Sequence, residues 1–216
     1  TADGSVPALR AALEALRPGG LFAEGPDSQM RQTTLVANHH MLFGKKKASS
    51  SGAVKPPTGE ELLEHYTPEQ LRAHFLALGL DQKSVGFSPK PFDPDPAKRE
   101  DPRYADPVLK EGALLTNVFN RLARSCFYEA QKNFDGCMPL GAVTPEVRHR
   151  AFEALLDYGE RMHKVELHRV MSVCDEFIRW SNKWWADGIK AAEASEDADA
   201  RRQVLVDSFY LLRMAT

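Results

Sequence analysis

The sequence has few cysteines, and they are spaced in a way that excludes several kinds of small stabilised fold. Three cysteines stand among 216 residues, and no two of them form a C-x-x-C pair. An odd, widely spaced set of thiols is typical of free cysteines in a reducing compartment and argues against a disulfide framework or a zinc knuckle. We therefore expect a cytoplasmic protein with no bound metal at these residues.

Long apolar runs and an excess of positive charge are also missing. No apolar run approaches the roughly 20 residues that cross a bilayer, so no membrane partner is expected. The N-terminus lacks a signal-peptide pattern, and it begins at Thr1 rather than at methionine, so we expect a piece of a longer protein. The formal net charge is −2. Any contact with nucleic acid would therefore need a local basic patch.

The first eighty residues combine one helical segment, one strand-like segment and a lysine-rich loop. Residues 5–17 place apolar side chains at helical spacing, and residues 33–43, which include His39 and His40, are rich in strand-forming types. Residues 44–57 (GKKKASSSGAVKPP) combine lysine, serine, glycine and proline, which predicts a loop. This part of the chain is therefore predicted to be a small α/β piece.

Helical signals follow the loop. Thr58 with Glu61 and Thr67 with Gln70 fit capping boxes, and each predicts a helix start. Residues 81–107 contain six prolines, which predicts an irregular connection.

From residue 108 the apolar spacing predicts four helices in an antiparallel bundle. The second begins at Thr144-Pro145, the third spans about 165–185, and the last begins within residues 195–198. The inward stripe of the first helix is expected to contain Leu115, Val118, Phe119, Leu122 and Cys126. The inward stripe of the second is expected to contain Val147, Ala151, Leu155, Tyr158 and Met162. The predicted class is mainly α, with divisions at 1–80, 81–107 and 108–216.

The order of these features resembles the C-terminal half of methionyl-tRNA synthetase. The strand LVANHHMLF leads into Gly44-Lys45-Lys46-Lys47-Ala48-Ser49-Ser50-Ser51-Gly52, in the place of the family's K-M-S-K-S loop. Leu122-Ala123 and Phe134-Asp135-Gly136 match the family's first bundle helix with the same spacing, and Trp184 or Trp185 stands where the family keeps a tryptophan. The resemblance implies that residues 1–80 end a class I catalytic domain and that 108–216 form an anticodon-binding-type bundle.

For the loop, the resemblance implies contact with the phosphates of ATP, with Mg²⁺, in the intact parent protein. Lys45, Lys46 and Lys47 would bind phosphate, and Lys46, Lys47 and Ser50 would assist catalysis by offsetting negative charge. The family's second lysine is replaced by Ser49. A solvated loop without a ligand is the alternative.

For the bundle, the resemblance implies contacts to the anticodon of methionine tRNA. The family's asparagine and arginine map to Arg121 and Ser125, whereas Asn120 and Arg124 have the right types one residue earlier. One residue turns a helical side chain by about 100°, so these two could serve only with a rotated helix or a one-residue irregularity. Trp184 would stack on a base, with core packing as the alternative.

The functional expectation is a fragment that contributes anticodon binding and a phosphate loop to ATP-dependent methionine-tRNA ligation. The chain lacks an H-I-G-H motif, so alone it is expected to be inactive and to need the N-terminal half of the parent protein. One alternative is a diverged paralogue without charging activity, which acts as a binding or protein-interaction module. A second is an unrelated helical interaction domain.

Overall fold

The computed structural model describes residues 36–43, 46–47 and 55–216. The helix predicted over residues 5–17 lies outside these residues, and so do Lys45 and Ser50. Helices account for most of the described part, as the sequence predicts. None of these helices is both long enough and apolar enough to cross a bilayer.

A small sheet contains three short strands, two before the first described helix and one after the second. Strand β1 (Met41–Phe43) lies in the centre, pairs antiparallel with β2 (Lys46–Lys47) and pairs parallel with β3 (Val85–Gly86). Leu42 is paired in both ladders, with Lys47 of β2 on one side and with Gly86 of β3 on the other.

This sheet corrects two predictions. Within the described part of the strand predicted over residues 33–43, the last three residues are confirmed, and residues 36–40 are not assigned to a strand. Residues 33–35 lie outside the described residues, and His39 and His40 have exposed side chains. The backbone of both histidines is still hydrogen-bonded, since the His39 N–H donates to the Leu80 carbonyl at 2.7 Å and the His40 carbonyl accepts from the Val85 N–H at 3.3 Å. The loop predicted over residues 44–57 is wrong at Lys46–Lys47, which returns onto β1 as a strand. Two lysines carry no apolar alternation that would indicate this pairing.

Both capping boxes are confirmed. Helix α1 (Gly59–Leu63) begins after Thr58, whose hydroxyl accepts a hydrogen bond from the Glu61 backbone N–H at 3.2 Å while the Glu61 carboxylate accepts from the Thr58 N–H at 2.7 Å. Helix α2 (Pro68–Ala77) begins after Thr67 in the same way, with Gln70 as the reciprocal partner.

The proline-rich segment 81–107 contains short elements and lies over an apolar cluster. It includes β3, a 3₁₀ turn and the short helix α3 (Pro96–Glu100). Lys90 Nζ donates to the backbone carbonyls of Asp101 and Tyr104, both at 2.7 Å, which fixes the path of this segment. The segment contributes Phe87 to this cluster, whose other buried members are Leu62, Tyr66, Leu71 and Val108.

The first bundle helix is interrupted by a π turn. It runs as α4 (Lys110–Ala113), a π-helical segment (Leu114–Phe119) and α5 (Asn120–Asn133). The wider turn shifts the inward position, so Leu114 is 5% exposed and the predicted Leu115 is 53% exposed. The prediction for Leu115 is therefore wrong, because it assumed an uninterrupted 3.6-residue period.

Three further helices complete the bundle. Their bounds are α6 (Pro145–His163), α7 (Leu167–Ser195) and α8 (Ala198–Met214). Helix α7 continues ten residues beyond its predicted end. Gly188 falls in this extension, where an added Cβ would lie 2.8 Å from Val204, so the glycine allows α7 and α8 to approach closely.

Helices α5 and α6 pack in separate apolar clusters, and both clusters draw on α7 and α8. The α5 cluster has the buried members Leu122, Cys126, Ala130, Trp185, Leu205 and Leu212. The α6 cluster has the buried members Val147, Ala151, Ala154, Phe177 and Leu211. Burial raises the pKa of the Cys126 thiol to about 12, so this thiol is neutral at physiological pH.

The α6 stripe is only partly as predicted. Val147 and Ala151 are buried, but Leu155, Tyr158 and Met162 are exposed. Ala154 takes the third inward position instead. The apolar arc of α6 is wider than the side that its neighbours cover, and spacing alone does not show which part of such an arc is covered.

A buried carboxylate forms the anchor between α8 and each of the two flanking helices. Asp207 accepts hydrogen bonds from the Thr144 backbone N–H at 2.8 Å and from the Thr144 hydroxyl at 2.6 Å, which holds the start of α6. On the other side, Arg201 of α8 donates to the buried Glu129 of α5 at 2.6 Å, and Asn133 donates to the same carboxylate.

Candidate nucleic-acid interface

The lysine segment is described only in part. Lys46 and Lys47 form β2, and Lys47 is exposed. Lys45 and Ser50, which were predicted to bind phosphate and to assist catalysis, lie outside the described residues. The phosphate-binding role of this segment therefore stays a prediction.

The π turn ends where the predicted RNA-binding residues begin. The Asn120 backbone N–H donates to the carbonyl of Leu115, which is five residues earlier. From Asn120 to Asn133 the helix is regular. The π turn, which is the one-residue irregularity, thus lies before both Asn120 and Arg124. It therefore does not change the position of these two residues relative to Phe134.

Three of the four predicted RNA-binding residues lie together on the outer face of α5. Asn120, Arg121 and Arg124 are all exposed. Asn120 and Arg124 are one turn apart on the same side of the helix, and Arg121 is three residues from Arg124. The structure therefore places one amide and two guanidinium groups on one solvent-facing surface.

Sequence reasoning missed three further residues on this face. Tyr128 is 66% exposed, and Phe127 and Lys132 are also exposed. The Phe127 ring contacts Phe209 edge-on, with centroids 5.3 Å apart, so Tyr128 is the freer of the two rings. A signal was present in the sequence, because Phe127 and Tyr128 both fall outside the inward stripe that contains Leu122 and Cys126.

The charge of this face is positive although the net charge of the chain is not. Helix α5 contains Arg121, Arg124 and Lys132, and its only acidic residue is Glu129. Glu129 is buried and bonded to Arg201, so it does not offset the exposed cations. A face that combines cations, an amide and exposed rings has the groups that bind phosphates and unpaired bases.

The fourth predicted residue, Trp184, belongs to a different part of the bundle. It is half-buried against the α6 cluster and stacks on Trp180 with ring centroids 5.4 Å apart. That cluster contains no residue of α5, and the tryptophan that packs with α5 is Trp185. The Trp184 indole N–H is buried, with no hydrogen-bond partner in the described part of the chain.

Histidine and carboxylate side chains pair but do not cluster. His74 Nδ1 lies 3.1 Å from Glu111, and His168 Nδ1 lies 3.3 Å from Asp81. Among the described residues no group of three or more potential ligands could hold a metal ion. These pairs connect α2 with α4 and the residues after α2 with α7, so packing between elements explains them.

Comparison with known proteins gives no family. A scan of the chain against protein-family models found no match, and a search of curated proteins found none either. The resemblance to methionyl-tRNA synthetase therefore stays a prediction. The outer face of α5 is the structural feature on which a functional proposal can be based.

Proposed function

We propose that this chain is the C-terminal part of a methionyl-tRNA synthetase-like protein and that the outer face of α5 binds the anticodon loop of a tRNA. In this proposal the helices form an antiparallel bundle of the anticodon-binding type. The lysine segment contributes phosphate contacts to ATP, with Mg²⁺, in the parent protein through Lys45, Lys46, Lys47 and Ser50. The chain alone does not charge tRNA, since the rest of the nucleotide site belongs to the N-terminal half.

The observation that carries the proposal is the combination of exposed groups on α5. Arg121, Arg124 and Lys132 supply positive charge without an exposed acidic residue on the same helix. Asn120 supplies an amide that can hydrogen-bond a base edge. These groups follow a π turn, and such turns occur frequently at functional sites.

Tyr128 is the aromatic ring that we assign to base stacking. Single-stranded RNA loops are usually held by splayed bases that stack on aromatic side chains. Tyr128 is exposed and stands four residues after Arg124, so both groups share one side of the helix. Trp184 is a second aromatic candidate, although its stack on Trp180 leaves it less accessible than Tyr128.

The experiment is a binding titration of the chain with methionine tRNA and with a tRNA whose anticodon is changed, at two salt concentrations. We expect binding that weakens with salt, because cationic contacts to phosphate release counterions. Arg124→Ala should reduce affinity about tenfold, and Tyr128→Ala should cost about 1–3 kcal/mol if one base stacks on the ring.

Arg99→Ala is the matched control, since Arg99 is an exposed arginine of α3. It should leave the affinity nearly unchanged. Binding that ignores the anticodon, or that falls equally with Arg99→Ala and Arg124→Ala, would reject anticodon recognition by α5.

The second candidate is a diverged paralogue that does not charge tRNA and instead binds a protein. Two observations favour it: Ser49 replaces the second loop lysine, and the outer face of α6 is apolar and exposed. This candidate predicts no preference for methionine tRNA in the same titration.

A further inference from the structure

The outer face of α6 exposes apolar side chains from Phe152 to Met162. Phe152 and Leu156 are 56% and 57% exposed, and Leu155 and Met162 are also exposed. Their spacing of three, four and six residues places them along one broad side of the helix. Gly159 lies on this side too, and nothing is within 4 Å of the position that a Cβ would occupy there.

This face is separate from the side that α6 buries. The buried side contains Val147, Ala151 and Ala154, which pack with α7 and α8. Isolated exposed leucines need no explanation, but a large contiguous apolar patch at the surface marks an interaction site. The described residues contain no segment that covers it.

The side chains on this face of α6 can pack against the same face of a second copy when the two helices run antiparallel. Phe152 stands three residues before Leu155, and Gly159 stands three residues after Leu156. When two copies of α6 pack antiparallel about the point between these leucines, the Phe152 ring of each copy lies over Gly159 of the other. The large Phe152 side chain thus meets Gly159, which has no side chain. This contact occurs twice, once from each copy, as a two-fold interface requires.

The charges at the ends of the face favour the same direction. Arg148 is exposed at the N-terminal end, and it has no ion pair within the described residues. Glu160 is exposed toward the C-terminal end, where its only described partner is Lys164. An antiparallel pair about this point places Arg148 of one copy opposite His163 of the other and within one turn of Glu160, whereas a parallel pair would bring Arg148 next to Arg148.

We propose that the outer face of α6 is a self-association surface on which a second copy of this chain packs antiparallel, with its two-fold axis between Leu155 and Leu156. The face offers few exposed apolar side chains per copy, whereas a standard interface buries roughly 800 Å² per partner. We expect a weak dimer that forms at micromolar concentrations.

Sedimentation velocity of the full chain tests the association, from about 1 µM to about 200 µM, a range that brackets micromolar affinity. The unmodified chain should shift from monomer toward dimer across this range. Leu156→Glu should remain monomeric throughout, because it places a carboxylate in the centre of the interface. Leu140→Glu is the matched control, since Leu140 is 81% exposed but lies before α6, and it should associate normally.

Cysteine cross-linking tests the direction, in a background in which the exposed Cys137 is replaced by serine. Leu155→Cys should form a disulfide-linked dimer under mild oxidation. Phe152→Cys should cross-link to a Gly159→Cys copy and not to itself. All these positions are exposed, so circular dichroism should show unchanged helix content.

A chain that stays monomeric over the whole range would overturn the proposal. So would a dimer that survives Leu156→Glu, because another surface would then hold it. A Phe152→Cys chain that links mainly to itself would overturn the antiparallel arrangement. RNA takes no part in these measurements, so their outcome is independent of the tRNA titration.

Discussion

Helices α5 and α6 are alike in how they are buried and different in what they expose. Each packs one side in an apolar cluster with α7 and α8 and turns the rest of its surface to solvent. The exposed side of α5 has three cations, a tyrosine and one phenylalanine, whereas the apolar side chains exposed on α6 are phenylalanine, leucine, tyrosine and methionine. Two helices with the same structural role are therefore suited to different ligands, one anionic and one apolar.

The reason lies in hydration. A charged face stays solvated until an opposite charge replaces its counterions, so α5 favours a phosphate backbone. An apolar face gains about 25 cal/mol for each Å² removed from water, whatever the partner's charge, so α6 favours a protein surface. The buried side chains of α5 and α6 therefore determine how they pack in the fold, and their exposed side chains indicate the kind of partner that each binds.

The largest expected loss of stability comes from removing the hydrogen bonds that join the start of α6 to α8. Asp207→Ala removes the buried carboxylate that accepts from the N–H and hydroxyl of the half-buried Thr144 and from the Gln203 side chain, so these donors lose that partner. We expect a loss of about 2–4 kcal/mol in the free energy of unfolding, measured by urea titration. Hydrogen exchange should increase first in α6.

Asp199→Ala controls for the loss of an aspartate from the same helix, since Asp199 is exposed in the first turn of α8. It should cost about 0.5 kcal/mol or less. Equal losses from the two variants would mean that the anchor between α6 and α8 contributes little.

The matching variant for α5 is Glu129→Ala. It removes the buried carboxylate that accepts from Arg201 and Asn133. We expect a loss of about 2 kcal/mol, less than for Asp207, because Arg201 also lies 3.9 Å from Glu193 and keeps a partner. Hydrogen exchange should increase in α5 and not in α6, with the exposed Gln131→Ala as the control. Faster exchange in α6 would show that the two helices are not anchored independently.

These anchors also show where prediction from sequence succeeds. The capping boxes at Thr58 and Thr67 were predicted because all their atoms lie within four residues of one another. The bond between Thr144 and Asp207 spans 63 residues, and no local pattern indicates it. The two-residue strand Lys46–Lys47 was missed for the same reason, since only its pairing with β1 defines it.

The candidate site follows the same rule. Asn120, Arg121 and Arg124 could be predicted as neighbours because they lie within two turns of one helix. Their grouping with Trp184 depended on tertiary packing, and the structure places Trp184 with α6 residues instead. Leu115 was misassigned because a π turn adds one residue to the period, and single-residue propensities do not report it.

A smaller and opposite effect is expected at the turn between α6 and α7. Val165 has a φ of 58°, a left-handed conformation that is unfavourable for a β-branched residue. Val165→Gly should therefore raise the free energy of unfolding by about 1 kcal/mol, measured by urea titration. Lys164→Gly is the control, because Lys164 has ordinary helical angles and its replacement should destabilise. A destabilised Val165→Gly chain would mean that the valine side chain contributes more than its strain costs.

The smallest effect on stability is expected from one substitution on each exposed face. Tyr128→Glu and Leu156→Glu both change exposed side chains, so the free energy of unfolding should change by about 0.5 kcal/mol or less. Each variant should reduce one kind of binding and leave the other unchanged. Tyr128→Glu should weaken tRNA binding and leave self-association intact, because it adds a negative charge beside Arg124. Leu156→Glu should abolish self-association and leave tRNA binding intact. If either variant changes both properties, the two faces are not independent, and α5 and α6 would have to be regarded as one composite surface.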